Sequence, residues 1–416
     1  MALDSGDIAW VLAATGLVMI MTPALGFFYG GLVRRKNLVS TIVQTMTIFA
    51  VVSLVWALWG YTLAFGPSVG RGIIGNLSKI GLNNVGTLSN AVYASTIPEL
   101  LFFAFQLKFA AITPALIIGA FAERIRFKAL LIFIVLWATL IYSPVAHWVW
   151  GDGGWLKALG IVDFAGGLVV HISAGVSALA AAIVIGRRKG VDNSHATRPG
   201  NIPYVILGAA ILWFGWFGFN GGSALAANGI AVQALVNTNM AAAAGAVSWM
   251  LVDWTSKSKP SAVGISVGGV CGLVAITPAA GYVSVGASIV IGLVVGVVSN
   301  LVSNWRASRT RLDDSLDVFA CHGVGSMWGV LATGIFASTL INPGGPNGLL
   351  YGNPQLLLVE AFAIAVVAGF SFFGSFALLK FVGLLTPLRV SPKEEEAGLD
   401  LSQHGEDAYG VELGDA

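Results

Sequence analysis

The feature that most constrains this chain is a long succession of apolar runs. A helix needs about 20 apolar residues to cross the hydrocarbon core of a bilayer. Eleven runs reach that length, near residues 8–33, 40–65, 99–122, 129–150, 163–186, 203–226, 236–254, 262–280, 283–304, 317–340 and 356–386. Only 10% of the residues are charged, whereas a soluble domain carries about 25%. The chain is therefore predicted to be an all-α polytopic membrane protein with eleven transmembrane helices.

The small residues support the same prediction. The 53 glycines suit membrane helices, because glycine lets two backbones approach closely where no hydrophobic drive operates. Cys271 and Cys321 both lie in apolar runs, so we expect buried thiols rather than a disulfide or a metal site. No cofactor is expected, and the net charge of +2 gives no indication of a nucleic-acid partner. The first residues, MALDSGD, lack the basic region of a signal peptide, so the first span is expected to be retained.

The positions of Lys and Arg predict the orientation, because short cytoplasmic loops are enriched in both. Loops at one end of the spans hold most of the 22 Lys and Arg residues. The opposite loops hold only Arg71, Lys79 and Lys157, while Lys108 and Lys380 fall inside spans. The N-terminus is therefore predicted to lie outside the cell and the C-terminus in the cytoplasm, as an odd number of spans requires.

Three patterns recur in the same order in the two halves of the chain. They are F-x-G-G at 28–31 and 219–222, AITPA at 111–115 and 275–279, and a span histidine at His171 and His322. Spans that lie five apart run in opposite directions, so this order predicts two inverted five-helix repeats plus an eleventh helix. In proteins built this way the binding site lies near the bilayer midplane, between the repeats.

His171 and His322 are the strongest candidates for function, because an ionisable group inside a span is costly. The structural alternative is that each histidine bonds a backbone carbonyl and holds two helices together. Matching positions in the two repeats favour a facing pair instead. In such a pair one imidazole donates a hydrogen bond while the other accepts it, and burial disfavours charging either ring.

Aromatic residues concentrate toward the predicted outer side. They include Phe105, Phe109, Trp148, Trp150, Trp155, Trp216, Phe217 and Phe219, the last of which lies close to Ser223. An interfacial aromatic belt explains many of them. Aromatic faces beside a hydroxyl acceptor, with no fixed cation nearby, would instead suit a small cation through cation–π attraction. Composition does not decide between these interpretations.

Acidic residues precede both histidine-bearing spans. Asp163 lies eight residues before His171, and Asp313, Asp314 and Asp317 precede the tenth span. An acid at a helix N-terminus is favoured by capping and by the helix dipole, so a structural role is the first expectation for all four. The charge of Asp163, on the outer side, would also favour cations.

Four long segments carry a more specific signal. They are FQLKFAAITPALIIGAFAERIRF (105–127), DFAGGLVVHISAGVSAL (163–179), GWFGFNGGSA (215–224) and DVFACHGVGSMWGVLATGIFA (317–337). Together they resemble the signature stretches of the ammonium transporter (Amt/Mep/Rh) family, of the prokaryotic Amt type, over essentially the whole chain. The resemblance implies a multi-pass cell-membrane protein, a homotrimer with one pore in each protomer, and transport of ammonium or its analogue methylammonium rather than enzymatic activity.

The resemblance also implies roles for individual residues. The matches are Trp150, Ser223 and Asp163 at an outer recruitment site, Phe109 and Phe219 at a gate, and His171 and His322 in the pore. Gln106 and Asn220 flank the phenylalanines and are not included in the predicted site. Ser326 departs from the family pattern, in which glycine is common, and this bears on the packing behind His322.

The expected mechanism follows from the cost of burying charge. Transfer of a bare cation into a medium of low dielectric costs tens of kcal/mol, and one desolvated cation–π contact returns only about 2 kcal/mol. Neutral ammonia avoids that cost. We therefore expect recruitment of the ion, deprotonation near Phe109 and Phe219, and passage of ammonia along His171 and His322, whether or not the proton follows separately.

The sequence divides into two predicted regions. Residues 1–388 are predicted to form the transmembrane transporter domain, and residues 389–416 a cytoplasmic C-terminal regulatory tail. The tail is polar and acidic, as a disordered segment would also be. Its stretch GLDLSQHGEDAYG resembles the family's tail, which implies packing on the inner face and docking of a PII-type signalling protein.

Other functions stay open on the sequence alone. The same scaffold could carry another small solute such as methylamine or potassium, and two span histidines could ligate haem in a membrane redox enzyme. An ammonium sensor with vestigial transport is a third alternative, although no appended signalling domain is seen. A water channel is disfavoured, because the sequence has no repeated Asn-Pro-Ala motif.

Overall fold

The computed structural model describes residues 2–190 and 198–409 of the chain. Residues 410–416 of the predicted tail lie outside the described residues. The apolar runs correspond to helices α1 (Ser5–Leu32), α2 (Leu38–Val55, Trp56–Gly60 and Tyr61–Phe65), α3 (Glu99–Ile117 and Ile118–Ala120), α4 (Phe127–Trp137, Ala138–Tyr142 and Ser143–Trp150), α5 (Gly167–Ile172 and Ser173–Ile185), α6 (Ile202–Gly221 and Gly222–Ala224), α7 (Gly229–Lys257), α8 (Ala262–Ile276), α9 (Val285–Arg309), α10 (Phe319–Val324 and Gly325–Phe336) and α11 (Pro354–Leu385).

Within residues 2–190 and 198–409, ten helices are long and apolar enough to cross a membrane. The prediction of an all-helical polytopic membrane protein is confirmed. Helix α8 is shorter, with 15 residues, and spans about 22 Å at 1.5 Å per residue. It ends at Ile276 rather than at the predicted residue 280, and residues 277–280 form a turn.

Polar side chains of α7 hold the turn that follows α8. Helix α7 begins at Gly229. The predicted start is residue 236, because polar residues interrupt the apolar run before that position. Asn237 donates hydrogen bonds from Nδ2 to the carbonyls of Ala280 (2.9 Å) and Val283 (2.8 Å), and it is fully buried. The buried polar group is thereby satisfied, and the turn is fixed against α7.

Helices α1 and α6 pack along their length through small residues. A Cβ atom added to Gly208 would lie 2.4 Å from the backbone nitrogen of Phe28. Gly215 and Gly218 face α1 in the same way, against Met21 and Ala14. Small residues permit this close approach in membranes.

The long loop between α2 and α3 lies over the predicted outer side. It contains two antiparallel hairpins, Ser68–Val69 with Ile74–Gly75 and Ser89–Asn90 with Ala94–Pro98. At its end Glu99 begins α3, where its carboxylate accepts a hydrogen bond from the Tyr61 hydroxyl (2.8 Å) and pairs with Lys79. These contacts hold the loop beside the site described below.

Buried charges join the predicted cytoplasmic ends of the helices. Glu123 accepts hydrogen bonds from the backbone N–H (2.6 Å) and Nε (2.7 Å) of Arg34. Arg188 donates to both carboxylate oxygens of Asp313 at 2.9 Å and also contacts Glu123 at 3.3 Å. Every charge in this set has an opposite partner, which is the condition for burying charges at acceptable cost.

The described part of the tail packs on the same face. Helix α12 (Pro392–Ala397) begins with a capping box formed by Ser391 and Glu394. Beyond it, the carboxylate of Asp400 accepts hydrogen bonds from the backbone N–H groups of Val39 (3.1 Å) and Ser40 (2.7 Å). Asp400 therefore caps the start of α2, where the helix dipole favours a negative charge.

Candidate functional site

An open pocket of about 300 Å³ lies at the predicted outer end of the bundle. It brings together residues that are far apart in the sequence. Its lining includes Phe109, Trp150, Asp163, Ser223, Tyr282 and Asn342. The three residues predicted for recruitment thus lie at one pocket, which we call the outer pocket.

Trp150 is fixed from two sides. It is the last residue of α4, and its indole N–H donates to the backbone carbonyl of Asp163 at 2.9 Å. Its ring also meets the ring of Phe109 edge to face, with centroids 6.0 Å apart and planes at 89°. The indole is therefore held in one orientation, as a preorganised aromatic wall requires.

The carboxylate of Asp163 is fully engaged with the start of α5. It accepts hydrogen bonds from the backbone N–H groups of Gly166 (2.8 Å), Gly167 (2.6 Å), Leu168 (2.7 Å) and Val169 (3.3 Å). Four N–H groups at a helix start would otherwise lack partners. The geometry gives Asp163 a capping role, and its backbone carbonyl positions the indole of the outer pocket.

Ser223 lies on the turn that ends α6, and its hydroxyl donates its one hydrogen bond within that segment. Its Oγ donates to the carbonyl of Phe219 at 2.8 Å. A hydroxyl oxygen keeps two lone pairs when its proton is donated elsewhere. Ser223 therefore presents an acceptor to the outer pocket, which suits a ligand that carries N–H donors.

Two phenylalanine rings close the floor of the outer pocket. The centroids of Phe109 and Phe219 are 4.3 Å apart, with planes tilted by 39°, and both side chains are buried. They come from α3 and α6, one from each half of the chain. Rings at this separation leave no open channel between them, so passage requires the rings to move.

His171 and His322 face each other beyond the phenylalanines. Their Nδ1 atoms are 3.2 Å apart and the rings are nearly parallel, with centroids at 5.3 Å. One Nδ1–H donates and the other Nδ1 accepts, so the pair shares one proton in the neutral state. Both side chains are buried, and Nε2 of His171 has no hydrogen-bond partner among the described residues.

Both histidines occupy π-helical turns that begin just after a capping aspartate. His171 lies in Gly167–Ile172 and His322 in Phe319–Val324. Asp314, eight residues before His322, accepts from the backbone N–H groups of Val318 (3.1 Å) and Phe319 (2.8 Å). Asp163 stands at the same spacing from His171 and caps α5 in the same way. A π turn widens the helix locally and often marks a functional site.

Helices α5 and α10, which carry the two histidines, are in contact at a glycine of each helix. A Cβ atom added to Gly175 would lie 2.2 Å from the backbone nitrogen of Gly323. Nearby, Ser326 donates from Oγ to the carbonyl of Gly167 at 2.8 Å. The serine that departs from the family pattern therefore joins α10, just after its π turn, to the π turn of α5 by a hydrogen bond.

A narrow slot surrounds the histidine pair, with room for about one water-sized molecule. Apart from the histidines its walls are apolar, and include Leu25, Ile112, Leu116, Leu212, Trp216 and Phe219. His171 stacks on Trp216 with ring centroids 5.4 Å apart. The indole N–H of Trp216 donates to Oγ1 of Thr277 at 2.9 Å, so that wall is also fixed.

Two buried amide oxygens were not included in the predicted site. Oε1 of Gln106, at the outer pocket, and Oδ1 of Asn220 have no hydrogen-bond partner among the described residues. The amide of Asn220 is oriented by Nδ2, which donates to Oγ1 of Thr238 at 2.8 Å. The available signal was their position beside Phe109 and Phe219, but the sequence does not show which polar atoms lack partners.

The two cysteines form no disulfide. Cys271 and Cys321 are both free and buried, with their sulfur atoms 3.2 Å apart. Among the described residues there is no group of three or more His, Cys, Asp or Glu side chains that could hold a metal ion.

The fold and this arrangement define a class of protein. A multi-pass helical membrane protein with a pocket, an aromatic floor and a buried slot in series is built for transport. A family model described as the Ammonium Transporter Family matches residues 9–409. The chain belongs to the ammonium transporter family.

Relatives named as ammonium transporters cover nearly the whole chain. An ammonium transporter of Bacillus subtilis is 50% identical over 407 residues, which are 98% of this chain and 99% of that protein. Ammonium transporter Amt1 of Archaeoglobus fulgidus is 47% identical over 98% of this chain and 100% of its own length. These relatives are transporters and not enzymes, and the chain is likewise a multi-pass protein of the plasma membrane.

Solved structures agree with the sequence relatives. The crystal structure of Saccharomyces cerevisiae Mep2 superimposes with a TM-score of 0.90 at 36% identity, over 99% of this chain and 93% of that chain. A structure named Sensor Amt Protein gives a TM-score of 0.87 at 31% identity, over 96% of this chain and 98% of that chain.

Proposed function

We propose that this protein recruits the ammonium ion at Trp150 and Ser223, removes its proton near Phe109 and Phe219, and conducts ammonia. The observation that carries the proposal is the order in which the pocket, the phenylalanine pair and the slot follow one another. An aromatic wall with a hydroxyl acceptor comes first, a closed pair of rings follows, and an apolar slot with a shared-proton pair lies beyond.

Electrostatics decides which species crosses the slot. A bare cation would lose hydration worth tens of kcal/mol in a low-dielectric medium, far more than cation–π contacts with one or two rings return. Ammonia is neutral and can donate to or accept from an imidazole. Potassium has no proton to lose and is therefore rejected at the phenylalanine pair.

The histidine pair supplies the polar atoms of the pathway without adding a fixed charge. Ammonia can exchange hydrogen bonds with His171 and His322 in turn, since each neutral ring has one donor and one acceptor. The proton that ammonium loses either returns to water in the open outer pocket or passes along the histidine pair, and in the second case transport carries charge.

Haem ligation by the same pair is disfavoured by distance. Two imidazole nitrogens on opposite faces of one metal stand about 4 Å apart, since each metal–nitrogen bond is about 2 Å long. The Nδ1 atoms of His171 and His322 are 3.2 Å apart. That separation suits a shared proton and leaves no space for a porphyrin ring.

We also propose the topology that the sequence predicts: eleven spans in two inverted five-helix repeats plus one, with the N-terminus outside and the C-terminus in the cytoplasm. The matched π turns of α5 and α10 support the repeats, and the short helix α8 is taken as the eighth span. Residues 1–388 form the transporter domain and 389–416 the tail. Labelling of single cysteines placed at Asp4 and Asp407 with an impermeant reagent tests the orientation.

Assembly and regulation follow from the family. We propose a homotrimer in the bilayer with one pathway in each protomer, and a PII-type protein docking at the cytoplasmic face. The packing of α12 and Asp400 on the loops supports an ordered docking surface. Native mass measurement tests the trimer. Pull-down and uptake with and without residues 390–416 test the partner.

The decisive experiment is current recording on reconstituted protein with ammonium and with potassium. Wild type is expected to give ammonium-dependent transport and no potassium current. His322→Ala is expected to lose transport, and His171→Asp to admit potassium, because a fixed carboxylate offsets part of the cost of a cation. A robust potassium current through wild type would refute the proposal, and ammonium binding without transport would favour a sensor.

A further inference from the structure

We propose that Lys157 sets the ammonium affinity of the outer pocket by repelling the incoming cation. The inference rests on the proposed function of that pocket. Lys157 and Asp163 are the two residues with charged side chains among those that line the pocket. Asp163 favours a cation in the pocket and Lys157 opposes it. The relative exposure of the two side chains therefore decides which charge dominates the electrostatic potential there.

The two charges are not equally available. The carboxylate of Asp163 accepts four backbone N–H groups, and it is 7% exposed. Much of its charge is therefore balanced by the start of α5. Lys157 is exposed and lies in the short helix Trp155–Ala158, directly after the turn that follows α4. Its ammonium group thus acts on the mouth of the pocket from the solvent side.

Lys157 is held close to the recruitment residue. Its Nζ donates to the backbone carbonyl of Trp150 at 3.3 Å. Among the described residues, no carboxylate lies within ion-pair distance of Lys157. Its positive charge is therefore not neutralised by a neighbour. An ammonium ion against the Trp150 ring therefore shares the pocket with a like charge.

The size of the effect follows from Coulomb's law near a protein surface. Two like charges several ångströms apart in an environment close to water repel each other enough to change binding about two- to five-fold. Salt screens charges at exposed positions, with a Debye length of about 30 Å at 0.01 M and about 8 Å at 0.15 M. Lys157 should thus make ammonium binding stronger at higher ionic strength, which is unusual for a site that collects a cation.

The test is the half-saturating ammonium concentration in proteoliposomes, measured near 10 mM and near 300 mM ionic strength with the salt of a bulky organic cation. Lys157→Gln is expected to lower this concentration about two- to five-fold at low salt. It should also remove the salt dependence that wild type shows. Lys157→Arg keeps the charge and should behave as wild type. Arg71→Gln removes a positive charge from the same outer face, away from the pocket lining, and should change neither value.

The outcomes separate the two proposals. If wild type shows saturable ammonium transport but Lys157→Gln matches it at both salt concentrations, the role of Lys157 is overturned while the proposed function stands. A higher half-saturating concentration in Lys157→Gln also overturns it. If wild type shows no ammonium transport or binding, the proposed function fails and the role of Lys157 fails with it.

Discussion

Gly175 of α5 and Gly323 of α10 are in backbone contact, and this contact brings the histidine helices together. A Cβ atom at Gly175 would lie 2.2 Å from the Gly323 nitrogen and 2.9 Å from the carbonyl carbon of His322. Both atoms belong to backbone, so neither can rotate away. The facing of His171 and His322 therefore depends on the absence of a side chain four residues after the first histidine.

We predict that Gly175→Ala abolishes most transport. The methyl group must push α5 from α10, because overpacking at a rigid contact costs about 1–3 kcal/mol and is relieved by backbone shifts. Ammonium uptake should fall about tenfold or more, with a lower melting temperature in detergent. Gly369→Ala is the matched control, since a Cβ atom there meets nothing within 4 Å. Equal uptake by the two variants would show that the contact does not control the pair.

Asp163→Asn should lose both stability and uptake. An amide offers one acceptor oxygen and turns an N–H₂ group toward backbone N–H donors that the carboxylate now satisfies. Loss of charged hydrogen bonds at a buried helix start costs about 2–3 kcal/mol. Asp163 also supplies the carbonyl that holds the Trp150 indole, so ammonium affinity should weaken too. The measurements are thermal unfolding and the half-saturating concentration for uptake.

Asp152→Asn is the control for that change, because Asp152 lies on the same outer loop and is exposed. It should leave thermal unfolding within error of wild type. If Asp163→Asn were as stable as Asp152→Asn, the capping role would be contradicted.

Hydropathy and residue spacing could predict the helices and the pairing of the histidines, because both depend on patterns that repeat along the chain. They could not predict where α8 ends. AITPA lies inside α3, which continues past Pro114, yet α8 stops at Ile276, before its own proline. The difference arises from the turn after α8, which Asn237 holds from another helix.

For the site, too, some features could be predicted from the sequence and others could not. Recognisable motifs made His171 and His322 and the aromatic residues the candidates, but they did not show how each polar atom is used. Whether Ser326 loosens or joins the histidine turns depends on the direction of one hydroxyl and on a carbonyl 159 positions away. Contacts of that kind are fixed by tertiary packing, which a single sequence does not display.

Ser326→Ala should show what that hydroxyl contributes. Removing one neutral buried hydrogen bond costs about 1 kcal/mol, and it leaves the Gly167 carbonyl without this donor. We expect a small fall in melting temperature and about a twofold fall in uptake. Ser308→Ala removes a hydroxyl that donates to Asn304 at 2.7 Å on the exposed end of α9, and should be neutral. If Ser326→Ala and Ser308→Ala are indistinguishable, Ser326 does not position the pair.

Asp313 and Arg188 should make the stability of the inner face depend on pH. Burial raises the pKa of Asp313, but hydrogen bonds from Arg188 and the nearby charge of Arg124 outweigh burial and lower the pKa from 3.8 to about 2. A group whose pKa falls on folding stabilises the protein above its unfolded value, and that contribution is lost as pH falls through the folded value. The contribution of Asp313 is therefore complete above about pH 4 and absent near pH 2.

Thermal unfolding of Asp313→Asn in detergent between pH 5 and pH 2 checks this expectation. At pH 5 the variant should be less stable than wild type by about 2 kcal/mol, the value of a shift of nearly two pKa units. The difference should shrink as pH falls toward 2, because wild-type Asp313 then becomes protonated and residue 313 carries no negative charge in either protein. Asp152→Asn, on the opposite face, should follow wild type at every pH. A difference that stays constant from pH 5 to pH 2 would mean that Asp313 acts through packing and not through its charge.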